Sequence, residues 1–172
     1  MRSVVRKSRA KWLKDAVLPV LGALLVATPA VASGAHETGS HIRSHVAQTE
    51  VNKRVAVSFL ELGFTQGKLK EAIDKYMGPR YIQHDPLLPD GADGLLEGIT
   101  PILNKYGTIP HDVKRVVAEG DLVVVHSEVT LGDTRQAVVD IMRLEKGKIV
   151  EHWDVLQQVP DPSQYRNDNG MF

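Results

Sequence analysis

The sequence predicts an α+β fold in which N-terminal helices pack on a curved, mainly antiparallel sheet. Apolar residues such as Val51, Val55 and Phe59 recur at helical spacing in the first half of the chain. After residue 110 the pattern changes to Val- and Ile-rich segments separated by short turns that contain glycine. Helices followed by a meander of strands indicate a sheet that wraps over the helices.

Each element follows from local signals in the sequence. The spacing of apolar residues predicts three helices, over residues 48–62, 66–77 and 95–106. Gly78-Pro79 is expected to end the second helix and Gly107 the third. A short extended segment, residues 81–86, leads into a loop rich in Pro, Gly and Asp. Four strands are expected, over residues 111–118, 121–131, 136–145 and 148–158, and residues 161–172 are expected to form a polar tail.

The first 32 residues predict a secretory signal peptide. Six basic side chains lie within residues 2–14, and an apolar run from Ala16 to Val31 follows them. The run ends in the small-residue pattern that suits signal peptidase, which favours cleavage after Ala32, with Ala35 as the second choice. A retained anchor is the alternative, but the run is shorter than the ~20 apolar residues that span a bilayer. Residues 33–47, rich in Gly, Ser and His, are expected to link this leader to a domain of residues 48–160.

Composition excludes several classes of function. The 172 residues include 21 basic and 21 acidic side chains and no cysteine, which excludes disulfides, thiolate metal sites and a cysteine nucleophile. Cleavage after Ala32 leaves 15 basic and 20 acidic side chains, a net charge of −5. An acidic domain disfavours a nucleic-acid partner. We therefore expect a protein exported to the periplasm or extracellular space, with no stable membrane insertion after cleavage.

Ionisable residues occur within the predicted strands, where a core is expected. Asp140 lies inside Val138-Val139-Asp140-Ile141-Met142, so burial of its carboxyl group is hard to avoid. An unpaired buried carboxylate is costly, and it must find a partner or take up a proton. One interpretation is a structural pair with a neighbouring Arg or His; the other is a cavity carboxylate that exchanges protons with a substrate. His152 and Asp154, two residues apart on the adjoining strand, can add proton-transfer groups to the same cavity.

Several motifs carry a resemblance to a known family. The segments YIQHDP (residues 81–86), EGDLVVVHSEVT (119–130) and VVDIMRLEKGKIVEHWD (138–154) resemble the SnoaL-like group, named for polyketide cyclases. This group belongs to the nuclear transport factor 2-like superfamily and is related to ketosteroid isomerase. The resemblance spans roughly residues 48–160. It implies a cone-shaped fold with a cavity between the sheet and the helices.

The resemblance also implies functional residues. Asp154 matches the acid/base aspartate of the cyclases, Asp140 the oxyanion-hole aspartate of the isomerase, and Asp85 the isomerase's general base. His152 or His84 is expected to assist the base, which completes the predicted catalytic set. The predicted substrate-binding residues are His126, Tyr81, Val138, Met142 and Leu156.

The leading hypothesis is an exported, cofactor-independent enzyme of the aldol cyclase or isomerase type. It would act on a small apolar carbonyl compound, with Asp154 or Asp85 as base and Asp140 as hydrogen-bond donor to the enolate. No metal or organic cofactor is expected, because burial can separate the pKa values of the carboxyl groups. The alternative is a non-catalytic periplasmic protein that binds a hydrophobic small molecule.

Two further hypotheses concern a metal and a partner. A metal site built from His84, His126, His152 and a carboxylate has suitable ligand types, but the spacing matches no local metal motif. A homodimer is possible through the outer face of the sheet, where Trp153 and Val155 are expected.

Overall fold

The computed structural model describes residues 34–172 of the chain, with side chains described from residue 43. The predicted signal peptide, residues 1–32, lies outside the described residues. Three α-helices pack against one face of a five-stranded sheet, so the predicted α+β architecture is confirmed. The helices are α1 (Gly34–Leu60), α2 (Leu69–Tyr76) and α3 (Gly91–Tyr106). The strands are β1 (Met77–Gln83), β2 (His111–Glu119), β3 (Leu122–Leu131), β4 (Thr134–Glu145) and β5 (Lys148–Gln158).

Helix α1 is longer than predicted. It begins at Gly34, so the segment expected to be a linker is helical, and no proline interrupts it. A single π-helical turn, Glu61–Thr65, continues it. The buried face of α1 includes Asn52, whose Nδ2 donates to the carbonyl of Gly120 at 3.4 Å, so the helix is tied to the turn between β2 and β3. No helix within residues 34–172 combines the length and apolar character that a membrane span requires.

The sheet contains a strand that the sequence analysis did not predict as such. Strands β2 to β5 form the expected antiparallel meander, and β1 adds to it in the order β1-β5-β4-β3-β2, parallel to β5. Gly78-Pro79 therefore lies within an edge strand and does not end a helix, which stops at Tyr76. Proline is tolerated there because an edge strand leaves donors unpaired. Gly78 allows the close approach of β5, since a Cβ atom would lie 2.9 Å from Cγ1 of Val150, which would have to move.

Helix α3 begins at Gly91, four residues before the predicted start, after Asp90 as N-cap. Asp90 Oδ1 accepts a hydrogen bond from the backbone N–H of Gln83, which joins the start of α3 to the end of β1. The hydrophobic core lies between the helices and the inner face of the sheet. It is formed by Ala56, Phe59, Leu60, Leu69, Ala72, Ile73, Met77, Tyr81, Leu95, Val123, Val125, Met142, Leu144 and Ile149.

Candidate active site

A cavity of about 370 Å³ lies between the inner face of the sheet, the end of α1 and helix α3. Apolar side chains form most of its wall, and they include Phe59, Phe64, Leu88, Ile99, Ile102, Val129, Val138 and Leu156. Seven of the ten predicted site residues line it: Asp154, Asp140, His152, Asp85, Tyr81, Val138 and Leu156. A surface groove of about 450 Å³ under the C-terminal tail contains none of them. The ionisable residues therefore share one largely apolar cavity.

The pairing of β4 with β5 brings the acidic residues together. Asp140 lies directly opposite Asp154, and Met142 lies opposite His152. Side chains opposite each other in an antiparallel pair have Cβ atoms about 5 Å apart. Two carboxyl groups on neighbouring strands consequently face the cavity side by side, as the family resemblance implied.

His152 is held between Asp140 and Gln83. Its Nε2 lies 3.2 Å from Asp140 Oδ1, and its Nδ1 lies 3.1 Å from Gln83 Oε1. Gln83 Oε1 also accepts a hydrogen bond from the backbone N–H of Asp85 at 3.0 Å, which identifies that atom as the amide oxygen. An oxygen can only accept, so Nδ1 of His152 carries a proton. Nε2 is thus the nitrogen that exchanges protons with Asp140.

One oxygen of Asp140 remains without a partner. The residue is 5% exposed, and Oδ2 is buried with no hydrogen bond from the described residues. A buried polar atom without a partner costs about 1–3 kcal/mol. Asp140 lines the cavity, so a polar ligand group that reached Oδ2 would remove this cost.

Asp154 has an environment suited to proton transfer. Burial raises the pKa of its carboxyl group above the ordinary value, and Asp85 and Asp140 raise it further when they are ionised, while His152 opposes the shift. Tyr81 reaches the same end of the cavity, and its hydroxyl oxygen accepts a hydrogen bond from Gln83 Nε2 at 3.0 Å. Burial, followed by the charges of Asp154 and Asp140, raises the pKa of Tyr81, so its hydroxyl keeps its proton.

Two predicted histidines lie outside the cavity, and both placements correct the sequence interpretation. His84 alternates with the inward residues of β1, so it faces the opposite side, where its Nε2 pairs with Glu151 at 2.8 Å and its ring stacks on Trp153. His126 alternates with the buried Val125 and Ser127, and its Nδ1 contacts Arg115 on the outer face.

Met142 is the third correction. It shares the inward face of β4 with Asp140 but is fully buried in the core beyond the cavity, so it supports the site and does not line it. The three histidines of the metal hypothesis are not gathered, and the side chains described, those of residues 43–172, include no cluster of three or more metal ligands.

The sequence interpretation missed three polar lining residues, Gln83, His111 and Gln136. Gln83 carried a signal, because it alternates with Tyr81 and Asp85 and so shares their face. His111 also carried one, since it alternates with Val113, whose side chain packs against the core. Gln136 lies two residues before Val138 on the same face of β4. In each case the alternation defined the face, but the partner strand decided that this face was the inner one.

Comparisons with known proteins place the chain within a family. The sequence model of the SnoaL-like domain matches residues 56–152. No curated protein sequence matches the chain significantly.

Solved structures share the fold at low sequence identity. A candidate polyketide cyclase from Acidithiobacillus ferrooxidans is 21% identical, with a TM-score of 0.54, over 62% of this chain and 87% of that one. A candidate SnoaL-like polyketide cyclase from Jannaschia sp. CCS1 is 17% identical, with a TM-score of 0.56, over 63% of this chain and 86% of that one. A candidate ketosteroid isomerase from Kribbella flavida DSM 17836 is 19% identical, with a TM-score of 0.53, over 66% of this chain and 83% of that one.

Proposed function

Because the chain belongs to the SnoaL-like domain family, we propose that it is a cofactor-independent acid/base enzyme of the aldol cyclase or isomerase type. Its substrate is a small, mostly apolar carbonyl compound. One observation carries the proposal: Asp154, with its raised pKa, faces Asp140, whose Oδ2 is unpaired, inside an apolar cavity. Such paired carboxyl groups with separate environments suit a base and a hydrogen-bond donor.

The reaction begins with proton transfer to Asp154. Its carboxylate takes a proton from the carbon next to the substrate carbonyl, and the electrons of the broken C–H bond move to the carbonyl oxygen, forming an enolate. The enolate then either takes the proton back from Asp154 at a different carbon of its conjugated system, or its α-carbon attacks a second carbonyl of the same molecule. In the second case a carbon–carbon bond forms, and the new alkoxide takes the proton from Asp154.

Asp140 is the donor that stabilises the enolate. When both ring nitrogens of His152 carry protons, they donate to Gln83 and to Asp140 Oδ1, and the proton of Asp140 resides on Oδ2. The Oδ2–H group then points its hydrogen bond at the developing oxyanion, where a positioned donor is most effective.

Exchange of protons next to a ketone tests this mechanism. We expect the protein to accelerate deuterium uptake by the methyl group of 4-acetylbiphenyl in D₂O, followed by NMR. Asp154→Asn removes the base, and the rate should fall by roughly 10²–10⁴-fold while the far-UV circular dichroism stays unchanged. Asp133→Asn, at an exposed turn between β3 and β4, is the matched control and should retain the wild-type rate.

The apolar wall of the cavity favours one alternative, a non-catalytic protein that binds a hydrophobic small molecule. The same experiment separates the two functions. Saturable binding of the ketone without any exchange above the uncatalysed rate would contradict the enzyme and support the binding protein.

We also propose export with cleavage after Ala32. The basic and apolar order of residues 2–32 and the absence of cysteine support it. N-terminal sequencing of the protein recovered from the periplasm should begin at Ser33, and recovery of the uncleaved chain would contradict cleavage.

A homodimer through the outer sheet face is the proposed assembly. Val117, Val124, Ile141 and Trp153 lie in one row across strands β2, β3, β4 and β5. Ion pairs flank this row, with Arg143 and Glu151 on one side and Lys114 and Glu128 on the other. An apolar centre with a charged rim is the usual anatomy of a protein interface.

A further inference from the structure

We propose that His111 forms a second polar subsite at the far end of the cavity, where it accepts a hydrogen bond from a hydroxyl group of the substrate. This inference rests on the proposed function and narrows its substrate class. The catalytic cluster uses Asp140, His152 and Asp154, and none of them contacts His111 in the structure.

His111 is held firmly at the start of β2. Its backbone N–H donates to Thr65 Oγ1 at 3.0 Å, and its ring packs against Phe64 with centroids 5.2 Å apart. Ile109, two residues earlier, donates its backbone N–H to the carbonyl of Phe64 at 2.9 Å. These contacts orient the ring toward the cavity, which it lines.

The hydrogen bond of Nδ1 defines what the ring offers to a ligand. Nδ1 lies 2.8 Å from the carbonyl oxygen of Ile109, which can only accept, so Nδ1 carries the proton. In the neutral ring Nε2 then has a free lone pair, and no described residue donates to it. Nε2 is accordingly an acceptor, and a hydroxyl group is the complementary ligand.

The sheet register places this acceptor far from the carboxyl groups. His111 pairs with Val129, and Val129 pairs with Gln136, so His111 and Gln136 lie in one row across the sheet. Asp140 lies four residues further along β4, about 13 Å at the usual rise, and two strands away, about 10 Å at the usual strand spacing. The two backbones are thus about 16 Å apart, and the side chains of both ends point into the same cavity.

The two ends define an elongated substrate. A carbonyl group lies at the Asp140 and Asp154 end, an apolar body fills the middle among Ile99, Ile102 and Val138, and a hydroxyl group reaches His111. The substrate class is therefore an elongated hydroxy-ketone with an apolar body, rather than a simple apolar ketone.

A matched pair of ketones tests the subsite. 4-Acetyl-4′-hydroxybiphenyl carries the distal hydroxyl, and 4-acetylbiphenyl lacks it. Calorimetric titration at pH 8 should show that the wild-type protein binds the hydroxylated ketone about three- to tenfold more tightly, the value of one hydrogen bond. His111→Phe keeps a ring against Phe64 but has no lone pair, so the two ketones should bind it with equal affinity.

The ratio of the two affinities separates this subsite from general damage. Any loss of packing in His111→Phe weakens the binding of both ketones by the same factor. His111→Gln supplies an amide oxygen as acceptor, so it should restore part of the preference for the hydroxylated ketone. His126→Phe, a histidine of the outer face, should leave the preference unchanged.

Three results would overturn the subsite. In the first the wild-type protein binds the two ketones with equal affinity, in the second it binds neither of them, and in the third His111→Phe retains the wild-type ratio of the two affinities. If the wild-type protein prefers the hydroxylated ketone but does not accelerate deuterium exchange of either ketone, the proposed enzyme activity is overturned and the subsite is not.

Discussion

Gln83 illustrates how one side chain sets the chemistry of its neighbours. Its oxygen accepts from the backbone N–H of Asp85 and from His152 Nδ1, and its nitrogen donates to Tyr81. The amide orientation therefore determines which nitrogen of His152 faces Asp140. Gln83 does not contact the reacting atoms in the proposed mechanism, so it is a positioning residue.

We expect Gln83→Leu to destabilise the fold and to disturb His152. It removes the acceptor for two donors inside or next to the cavity, which costs about 1–3 kcal/mol in the free energy of unfolding. Urea denaturation measures this cost. Gln157→Leu, at an exposed position of β5, is the matched control and should change stability by less than about 0.5 kcal/mol. ¹⁵N NMR of the imidazole should show that Nδ1 no longer holds its proton in a single tautomer, and unchanged ¹⁵N shifts would contradict the positioning role.

The ionisation of Asp154, the proposed base, makes the free energy of unfolding depend on pH. Its pKa is raised in the folded chain, chiefly by burial, relative to about 4 in the unfolded chain. At pH values between the unfolded and the folded pKa, the folded state therefore binds more protons than the unfolded state. The free energy of unfolding consequently falls as pH rises from the unfolded pKa through the folded pKa. Asp154→Asn removes the charge that is unfavourable at neutral pH.

Calorimetric melting temperatures test this linkage. We expect Asp154→Asn to melt at a higher temperature than the wild-type protein at pH 7, and the difference should shrink near about pH 3.5, where the carboxyl group is mostly protonated in both states. Asp133→Asn should show no such dependence on pH. An equal difference at both pH values would mean that the ionisation of Asp154 is not its cause.

At the scale of elements, one bulge decides what β5 buries. Arg143 pairs with Glu151 but Leu144 pairs with Ile149, so Val150 is an extra residue in β5. Strict alternation would place Ile149 on the face opposite His152. The bulge lets Ile149 join the core while His152 and Asp154 still face the cavity.

Two glycines of helix α3, Gly94 and Gly98, lie close to the loop that precedes the helix. A Cβ atom on Gly94 would overlap the backbone carbonyl of Pro89, whereas a Cβ atom on Gly98 would meet only the end of the Leu88 side chain. Backbone cannot move aside as a side-chain end can. The two glycines lie one turn apart on the same helix, so they form a matched pair.

We expect Gly94→Ala to lower the free energy of unfolding, because the overlap costs about 1–3 kcal/mol and exceeds the gain in helix propensity of about 1 kcal/mol. Gly98→Ala should be neutral or stabilising by up to about 1 kcal/mol. Urea denaturation of both variants checks this. Equal effects at the two positions would contradict the contact with Pro89.

At the scale of the whole molecule, the two faces of the sheet have different roles. The inner face holds the core and the cavity, and the outer face carries ion pairs together with exposed apolar side chains, Val155 at 63% and Val117 at 61%. The C-terminal tail reaches this face, where Phe172 stacks on the ring of His126. The proposed homodimer would use the part of the outer face that the tail leaves uncovered, where Val117 and Val155 are exposed.

Light scattering tests the assembly. The mature protein should have the mass of a dimer, and Val155→Asp should reduce it to a monomer because a charge is placed beside the apolar row. Val46→Asp, at an exposed position of α1, is the control and should leave the dimer intact. A wild-type monomer at high micromolar concentration, or a Val155→Asp dimer, would contradict an interface on this face.

The sequence by itself determined the class of fold, the four meander strands within a few residues and the face that His152 and Asp154 share on one strand. These features depend on local periodicity, which one strand carries in its own residues. The addition of β1 to β5, the bulge at Val150 and the outward placement of His84 and His126 depended on the tertiary structure. Periodicity shows which side chains share a face, but only the elements packed against a strand decide which face is buried. The hydrogen bonds of Gln83 and His111 join residues from different elements, so their chemistry became definite only in the folded chain.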